Sequence, residues 1–427
     1  MLVMRAYQHK FLFTARQDQQ AAQFAGCARL IYNAGLEQRI IGYQIFKRGL
    51  TYNKQAAYLK EIRASKDYQF LKEAPFHVLQ QALMDLDQAY QNYFAGRAKF
   101  PCFKKRGQND SFRYPDPDPK QIGAHHPSRQ NQVRLPKLGW IKIQNCYPRL
   151  GTKLFEGQLK FVTVTRKADG WYASFTCQVE IADPVAPAGP AVGLDLGVVN
   201  SVATSEGELI HLPVATAREK EKLIILQQRV SSKQLRSKNK FKAQQRFNKC
   251  QQKIVRRKKD AQHKLTTQLA RKHSIIVVEK LNVKKMTQAE GAAKKNLNSA
   301  ILQQSWGELI RQLEYKTEWS GTQLIKINPA YTSQKCNLCS NISQQNRKNQ
   351  AFFVCQCCGH QDHADINAAK NILAHFSSSR VGLRQSFKTS TRTGGTPDPS
   401  FSEENAWTVI PGRTNCKISS GTKIVCS

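Results

Sequence analysis

Val192-Gly-Leu-Asp-Leu-Gly197 places one carboxylate inside an apolar, strand-like run. A charged side chain there is unfavourable unless it faces a site or finds a partner. Gly193 and Gly197 flank it and permit close backbone approach and tight turning. Two other segments repeat the design. Ile275-Ile-Val-Val-Glu279 is a nearly all-apolar strand that ends on Glu279. His363-Ala-Asp-Ile-Asn-Ala-Ala-Lys-Asn-Ile372 sets Asp365 ahead of an Ala-rich run, where it could cap a helix. Each acid alone has an ordinary reading: a turn carboxylate, a strand-end ion pair, an N-cap. Three of them at the edges of regular elements, in a strongly basic chain, read together as one site.

Converging carboxylates repel one another. Divalent cations, Mg²⁺ or Mn²⁺, relieve that repulsion and can bridge a phosphate. Asp195 is then the expected bridging ligand, Glu279 the residue on the water side, and Asp365 the ligand that completes the second metal. His363, two residues before Asp365, could steady a phosphate or a ligand carboxylate, or be a plain loop histidine.

Cys336-Asn-Leu-Cys339 and Cys355-Gln-Cys-Cys358 have the spacing of a four-cysteine Zn²⁺ knuckle. Cys357 is an extra thiol, and an alternative register would use it in place of Cys358. Gly359 favours the Cys355/Cys358 pair, because the backbone after such a turn often needs positive φ. Five of the twelve cysteines lie in this segment and the rest are scattered, which indicates a metal cluster in a reducing compartment rather than a disulfide framework. Asn346-Arg-Lys348, between the pairs, could contact a nucleic-acid backbone or face water.

The chain has 427 residues and a formal charge of +36. That excess attracts a polyanion. It is uneven: residues 220–260 hold 15 Lys or Arg against two acids, net +13. Lys and Arg within 233–259 are candidate phosphate contacts, and Tyr7, Phe11, Tyr32 and Phe112 candidate stacking or wedge residues, each reading equally as core packing. No run approaches the roughly 20 apolar residues of a bilayer span, so no membrane partner and a cytoplasmic, nucleoid-associated protein are expected.

Residues 3–14 alternate like a strand, and from about 18 the period becomes helical. Leu79, Leu83, Leu86, Tyr90 and Phe94 recur at helical spacing as a packing stripe. Phe100-Pro-Cys-Phe-Lys-Lys-Arg106 begins a basic connector, and 107–132 reads as loop. Strand patterns fill 133–182, with a turn at Asp169-Gly170. Val185–Pro190 reads as a linker. Beyond it come a strand and hairpin, long basic helices over 216–273, the strand 275–279, a helix near 298–319, a strand at 324–328 and a last helix at 365–376. Residues 376–427 hold 25 Ser, Thr, Gly or Pro and read as a mobile tail.

These pieces, in this order, resemble the TnpB proteins, the OrfB products of IS200/IS605-type insertion sequences and relatives of type V CRISPR nucleases. The resemblance spans roughly 1–376. It rests on Tyr32-Asn33, Pro101–Lys104 with Ser111-Phe-Arg113, Gly193–Gly197, His263-Lys264, Val278–Leu281, Trp306, Tyr315-Lys316, Asn328-Pro-Ala-Tyr-Thr-Ser-Gln334, the cysteines and Asp365–Ile372. It implies an α/β protein: an RNase H-like (RuvC-like) nuclease core with an inserted zinc module, preceded by a β-barrel-like wedge domain with a helical insertion. The implied divisions are a wedge at 1–16 and 133–182, and a helical recognition insertion with its basic connector at 17–132. The linker is 183–190, the nuclease core 191–335, the zinc module 336–358, the final nuclease segment 359–376 and the flexible tail 377–427.

The family's catalytic Asp, Glu and Asp fall on Asp195, Glu279 and Asp365. Its zinc ligands fall on Cys336, Cys339, Cys355 and Cys358. The glycine usual after the second zinc cysteine is Ser340 here. The implied function is RNA-guided DNA endonuclease, with a guide RNA from the transposon end and double-stranded target DNA beside a short motif as partners. A strand-transfer transposase and a catalytically inactive nucleic-acid-binding regulator are the alternatives.

Overall fold

The computed structural model describes residues 1–115, 117, 131–144, 154–288, 292–349 and 351–386. Contacts divide the chain into a unit Met1–Ser377, which carries both sheets and the site described below, and a second unit Ser378–Ser427.

The first element, β1 (Leu2–Leu12), leads into α1 (Ala15–Phe46). Thr14 caps α1, accepting from the Gln17 N–H while the Gln17 side chain accepts from the Thr14 N–H. Ala21, Phe24, Ala25, Ala28, Ile31 and Leu36 form its buried stripe. Next come α2 (Tyr52–Ala64), a 3₁₀ turn (Lys66–Lys72) and α3 (Phe76–Phe94). The packing stripe of α3 is buried through Leu79, Leu83 and Leu86, whereas Phe94 is 65% exposed.

Five strands follow: β2 (Ser111–Pro115), β3 (Gln132–Leu135), β4 (Gly139–Gln144), β5 (Gln158–Lys167) and β6 (Gly170–Glu180). With β1 they make an antiparallel sheet of order β2-β5-β6-β1-β4-β3. Residues 111–115, expected as loop, are instead a strand, because Phe112 and Tyr114 alternate inward into the core. The remainder of that expected loop at 116 and 118–130 lies outside the described residues. The chain start is anchored: the Met1 ammonium donates to the Ile181 carbonyl and pairs with Asp183.

A second sheet of five strands contains β7 (Val192–Asp195), β8 (Val202–Thr204), β9 (Leu209–Ile210), β10 (Ile275–Glu279) and β11 (Gln323–Ile327), in order β11-β10-β7-β8-β9. The pairs β11/β10 and β10/β7 are parallel, and the β7-β8-β9 meander is antiparallel. The basic stretch forms two helices, α4 (Ala217–Ser231) and α5 (Lys238–Lys272). After α6 (Val283–Met286), the single helix expected near 298–319 is two, α7 (Ala292–Gln304) and α8 (Trp306–Ser320), because Ser305 adopts left-handed φ and breaks the run. The zinc segment carries a small hairpin, β12 (Phe352–Val354) and β13 (Gln361–His363).

The last helix, α9 (Ala364–Ser386), extends ten residues past its expected end, so 377–386 are helical rather than tail. The tail expected beyond them, 387–427, lies outside the described residues. Residues 184–190 are docked, not free. A Cβ on Gly189 would fall 1.7 Å from the Lys272 carbonyl oxygen. The Gly189 carbonyl accepts from the Ser274 N–H. Among the described residues no helix is long and apolar enough to cross a membrane.

The two sheets are tied by a clasp. Arg256 of α5 donates to both carboxylate oxygens of Asp169, in the β5–β6 turn, and to the Tyr172 hydroxyl. Lys10 completes the set on Asp169. These donors hold the Asp169 carboxyl far below the usual carboxylate range, against the opposing effect of burial.

Candidate active site

Three elements bring the three acids together. The parallel register pairs Val277 with Gly193 and Val278 with Leu194. One step further, Glu279 at the end of β10 falls beside Asp195 at the end of β7. Helix α9 then crosses β7 at Gly193: a Cβ there would meet the Ala369 carbonyl oxygen at 2.2 Å. Only glycine admits this approach, and it brings Asp365, in the first turn of α9, onto the strand ends. The turn at Gly197 is equally tight, since a Cβ would sit 2.5 Å from the Asn200 carbonyl oxygen.

The electrostatics follow. Burial, then the charges of Glu279 and Asp365, push the Asp195 carboxyl up to about 7. Arg347 and the Leu196 N–H oppose the shift. Burial also raises Glu279, against the hydroxyl of Thr332, which donates to it. Asp365 is buried, and each of its oxygens has a donor. Asn200 Nδ2 lies 2.9 Å from Oδ2, and Arg347 lies 3.1 Å from Oδ1. The cluster carries more negative charge than its one arginine balances, and its donor set is all oxygen. That is the chemistry of a hard divalent cation site, and Asp195, Glu279 and Asp365 could hold one.

Several residues of this arrangement escape the sequence reading. Asn200 follows the Gly197 turn with no motif to mark it. Arg347, by sequence a candidate for a nucleic-acid backbone or for solvent, instead turns into the carboxylates. Asn346 beside it is fully buried, donating to the Gln334 carbonyl and accepting from the Gln356 N–H. Thr332 and Asn371 lie within stretches carried by the resemblance, but their roles need coordinates: Asn371 donates to the Thr332 carbonyl while Thr332 donates to Glu279. Asn367, one turn before Asn371, donates to the Lys335 carbonyl and accepts from the Asn337 N–H. Helix α9 thus positions Glu279 and the first zinc turn as well as its own Asp365. The His363 ring accepts from the Asp365 N–H, which ties it to the start of α9.

Cys336, Cys339, Cys355 and Cys358 form one group, with all sulfurs within 4.8 Å of each other. Cys336 and Cys358 Sγ are 3.7 Å apart, and Cys339 and Cys355 Sγ 3.5 Å. A tetrahedron with Zn–S near 2.3 Å has S···S edges of about 3.8 Å, so the set fits Zn²⁺. Cys357 is exposed and outside the group, which settles the register. Two matching turns build the cluster: Ser340 N–H donates to Cys336 O, and Gly359 N–H to Cys355 O. Both residues are left-handed, φ 61° for Ser340 and 69° for Gly359.

Of the candidate stacking residues, Phe11, Tyr32 and Phe112 are core, each under 7% exposed. Tyr7 packs partly buried against the same core. Among the basic candidates, Arg257 pairs with Glu219, Lys259 with Glu308, and Lys258 is buried against Ser305. Burial pushes Lys258 down to about 8. Lys233, Arg236, Lys238, Lys242, Arg246 and Lys249 lie in the solvent-facing part of this stretch, with no ion pair among the described residues.

Comparison with known proteins follows the same lines. Residues 174–290 match the family model described as a probable transposase of the OrfB/IS605 type, and 306–372 the Cas12f1-like TNB domain. Residues 1–47 match a model described as a helix-turn-helix domain, although here they form one strand and one unbroken helix. InsQ of Escherichia coli K12, named for RNA-guided DNA endonuclease activity, is 35% identical over 381 residues, 87% of this chain and 92% of InsQ. A similarly named Streptomyces pristinaespiralis protein is 32% identical over 87% of this chain and 89% of its own length. The fold is similar to that of Cas12f1 in its complex with guide RNA and target DNA, at TM-score 0.52, 16% identity and coverage of 84% of this chain and 83% of that one. With two such relatives matched over nearly their whole length, this chain belongs to the TnpB/OrfB family of IS605-type elements.

Proposed function

We propose that the chain is an RNA-guided DNA endonuclease of a transposable element, hydrolysing phosphodiester bonds at Asp195, Glu279 and Asp365. One observation carries the reading: three acids from separate elements share a buried site whose burial and mutual repulsion raise Asp195 to about 7. Three carboxylates face one arginine here, and the hydroxyl and amide donors of Thr332 and Asn200 orient Glu279 and Asp365 without cancelling their charge. Divalent cations, Mg²⁺ or Mn²⁺, held by these three residues would polarise the phosphate, activate water and stabilise the departing 3′ oxygen.

The chain's own residues hold that geometry. Thr332 fixes Glu279, Asn200 fixes one oxygen of Asp365, and the turn at Gly197 sets Asp195 against both. Arg347 offsets part of the charge. On this reading the mixed sheet with α9 is a RuvC-like core of the RNase H type, supported by a carboxylate at the end of each of the neighbouring parallel strands β7 and β10. The four-cysteine segment is a structural Zn²⁺ module that delivers Arg347. The six-stranded sheet and helices α1 to α3 form the wedge and recognition parts that grip guide RNA and target. The exposed lysines and arginines of α5 hold the hybrid's phosphates.

The test is cleavage of a plasmid library by protein co-expressed with RNA transcribed from its own downstream DNA, in Mg²⁺, beside D195A. Guide-matched cutting that disappears in D195A is expected. RNA binding without cutting in either protein would point instead to a binding regulator.

A further inference from the structure

Helix α7 is seated through its last turn. From Lys294 to Gln304 only Ile301 and Gln304 are buried. Ile301 belongs to the same apolar core as Val192, Leu194 and Val278. Gln304 is a primary amide only 5% exposed, and burying such a group is unfavourable unless both its ends are paired. Both are. Its Nε2 donates to the Val198 carbonyl at 2.8 Å, and its Oε1 accepts from the Ser201 hydroxyl at 3.1 Å. Ser201 Oγ in turn accepts from the Leu212 N–H, which leaves the hydroxyl proton for Gln304.

These two anchors bracket the turn that follows Asp195. Between them lies Asn200, the donor to Asp365 Oδ2, and the Asn200 carbonyl folds back over Gly197. A side chain that holds Val198 and Ser201 at once fixes the span of backbone from which Asn200 reaches Asp365. The corner that carries Gln304 is itself held from α5. Gln262, 1% exposed, donates to the carbonyls of Gln304 and Ser305, and buried Lys258 donates to Ser305 Oγ, each at 3.4 Å. Packing alone would be served by an apolar residue of the same size. The amide's matched donor and acceptor serve the turn.

We infer that Gln304 is a positioning residue of the carboxylate site: it holds the Val198–Ser201 turn so that Asn200 keeps Asp365 oriented for a divalent cation. The inference rests on the reading of the three acids as metal ligands of a nuclease. Partners that orient a metal ligand from behind are worth about 10–100-fold in metal affinity or activity.

The experiment compares the full chain with Q304M, which removes both hydrogen bonds at nearly unchanged size, and with S201A, N200A and N200A/Q304M. Electron paramagnetic resonance reads Mn²⁺ affinity without nucleic acid. Single-turnover kinetics with guide RNA and target read cutting, and hydrogen exchange of the 196–202 stretch in metal-free protein reads the turn. Q304M should weaken Mn²⁺ binding and slow cutting, each by about tenfold or more, and exchange faster across the turn, while guide RNA affinity stays as in the wild type. S201A, which removes one of the two bonds, should move all three in the same direction and serves if Q304M folds poorly. N200A should lose as much as Q304M, and Q304M should cost little more on top of it, because both act on Asp365. Unchanged Mn²⁺ affinity and exchange in Q304M would overturn the inference. So would full additivity with N200A, or a lower Tm with Mn²⁺ affinity per folded molecule intact, the mark of plain packing. A wild type that binds no Mn²⁺ removes this inference and the nuclease reading together. One that binds Mn²⁺ as expected but never cuts removes only the nuclease reading.

Discussion

At the scale of single residues, two positions store unfavourable energy, and each makes a prediction. Asp195 titrates near 7 in the fold against 3.8 unfolded. Between those values the folded state binds more protons than the unfolded, so its stability falls as pH rises through that window and is greatest below it. Asp195→Asn removes the charge and keeps the shape. In the absence of Mg²⁺ and Mn²⁺, its Tm should exceed the wild type's by about 3 °C or more near pH 8, with the gap closing near pH 4. A thermal melt series across pH decides this, and an equal gap at both ends would refute it. Ser340 is held at φ 61°, a region where an L side chain is strained and glycine is not. Ser340→Gly should stabilise the zinc turn by about 1 kcal/mol and slow zinc loss to a chelator, read with a colorimetric zinc indicator. Its partner turn already has Gly359.

At the scale of elements, the decisive contact is α9 over β7. Gly193→Ala would drive a methyl into the Ala369 carbonyl, which neither backbone can easily vacate. We expect a loss of about 1–3 kcal/mol in urea denaturation, together with displacement of Asp365 and loss of cutting. Helix α9 also carries Asn367 and Asn371, which hold the zinc turn and the Thr332 loop. Asn371→Ala should therefore reduce cleavage by about tenfold or more while the guide RNA affinity, measured by filter binding, stays as in the wild type. A fall in RNA affinity of the same size would show a general folding effect instead. The clasp from Arg256 to Asp169 and Tyr172 works at this scale too, joining α5 to the turn of the antiparallel sheet.

Across the whole molecule, charge is divided by function. Near the clasp and the α4–α5 contact, Arg256 and Arg257 are committed to internal carboxylates. Towards the start of α5 the cations are left to solvent. Replacing Lys238, Lys242, Arg246 and Lys249 together by Gln should flatten the salt dependence of RNA binding, by about 0.7–0.9 in log–log slope for each phosphate no longer neutralised. Fluorescence anisotropy across a KCl series reads this, and an unchanged slope would place the polyanion on another face.

What the sequence determined alone was the chemistry-bearing set: strand runs ending on Asp195 and Glu279, the four cysteines at knuckle spacing, and the basic segment. Period, ligand spacing and charge are local properties, visible without coordinates. The tertiary structure decided which side chains share a site and which face solvent. Phe112 and Phe103 are both aromatic in neighbouring stretches, yet one is 4% exposed and the other 50%. Asn200, Thr332 and Arg347 belong to no spacing rule, and they matter because Gly193 lets α9 lie on β7 and Asn346 seats the loop that turns Arg347 inward. Burial and convergence arise from packing between residues far apart in the chain, and no local pattern encodes them.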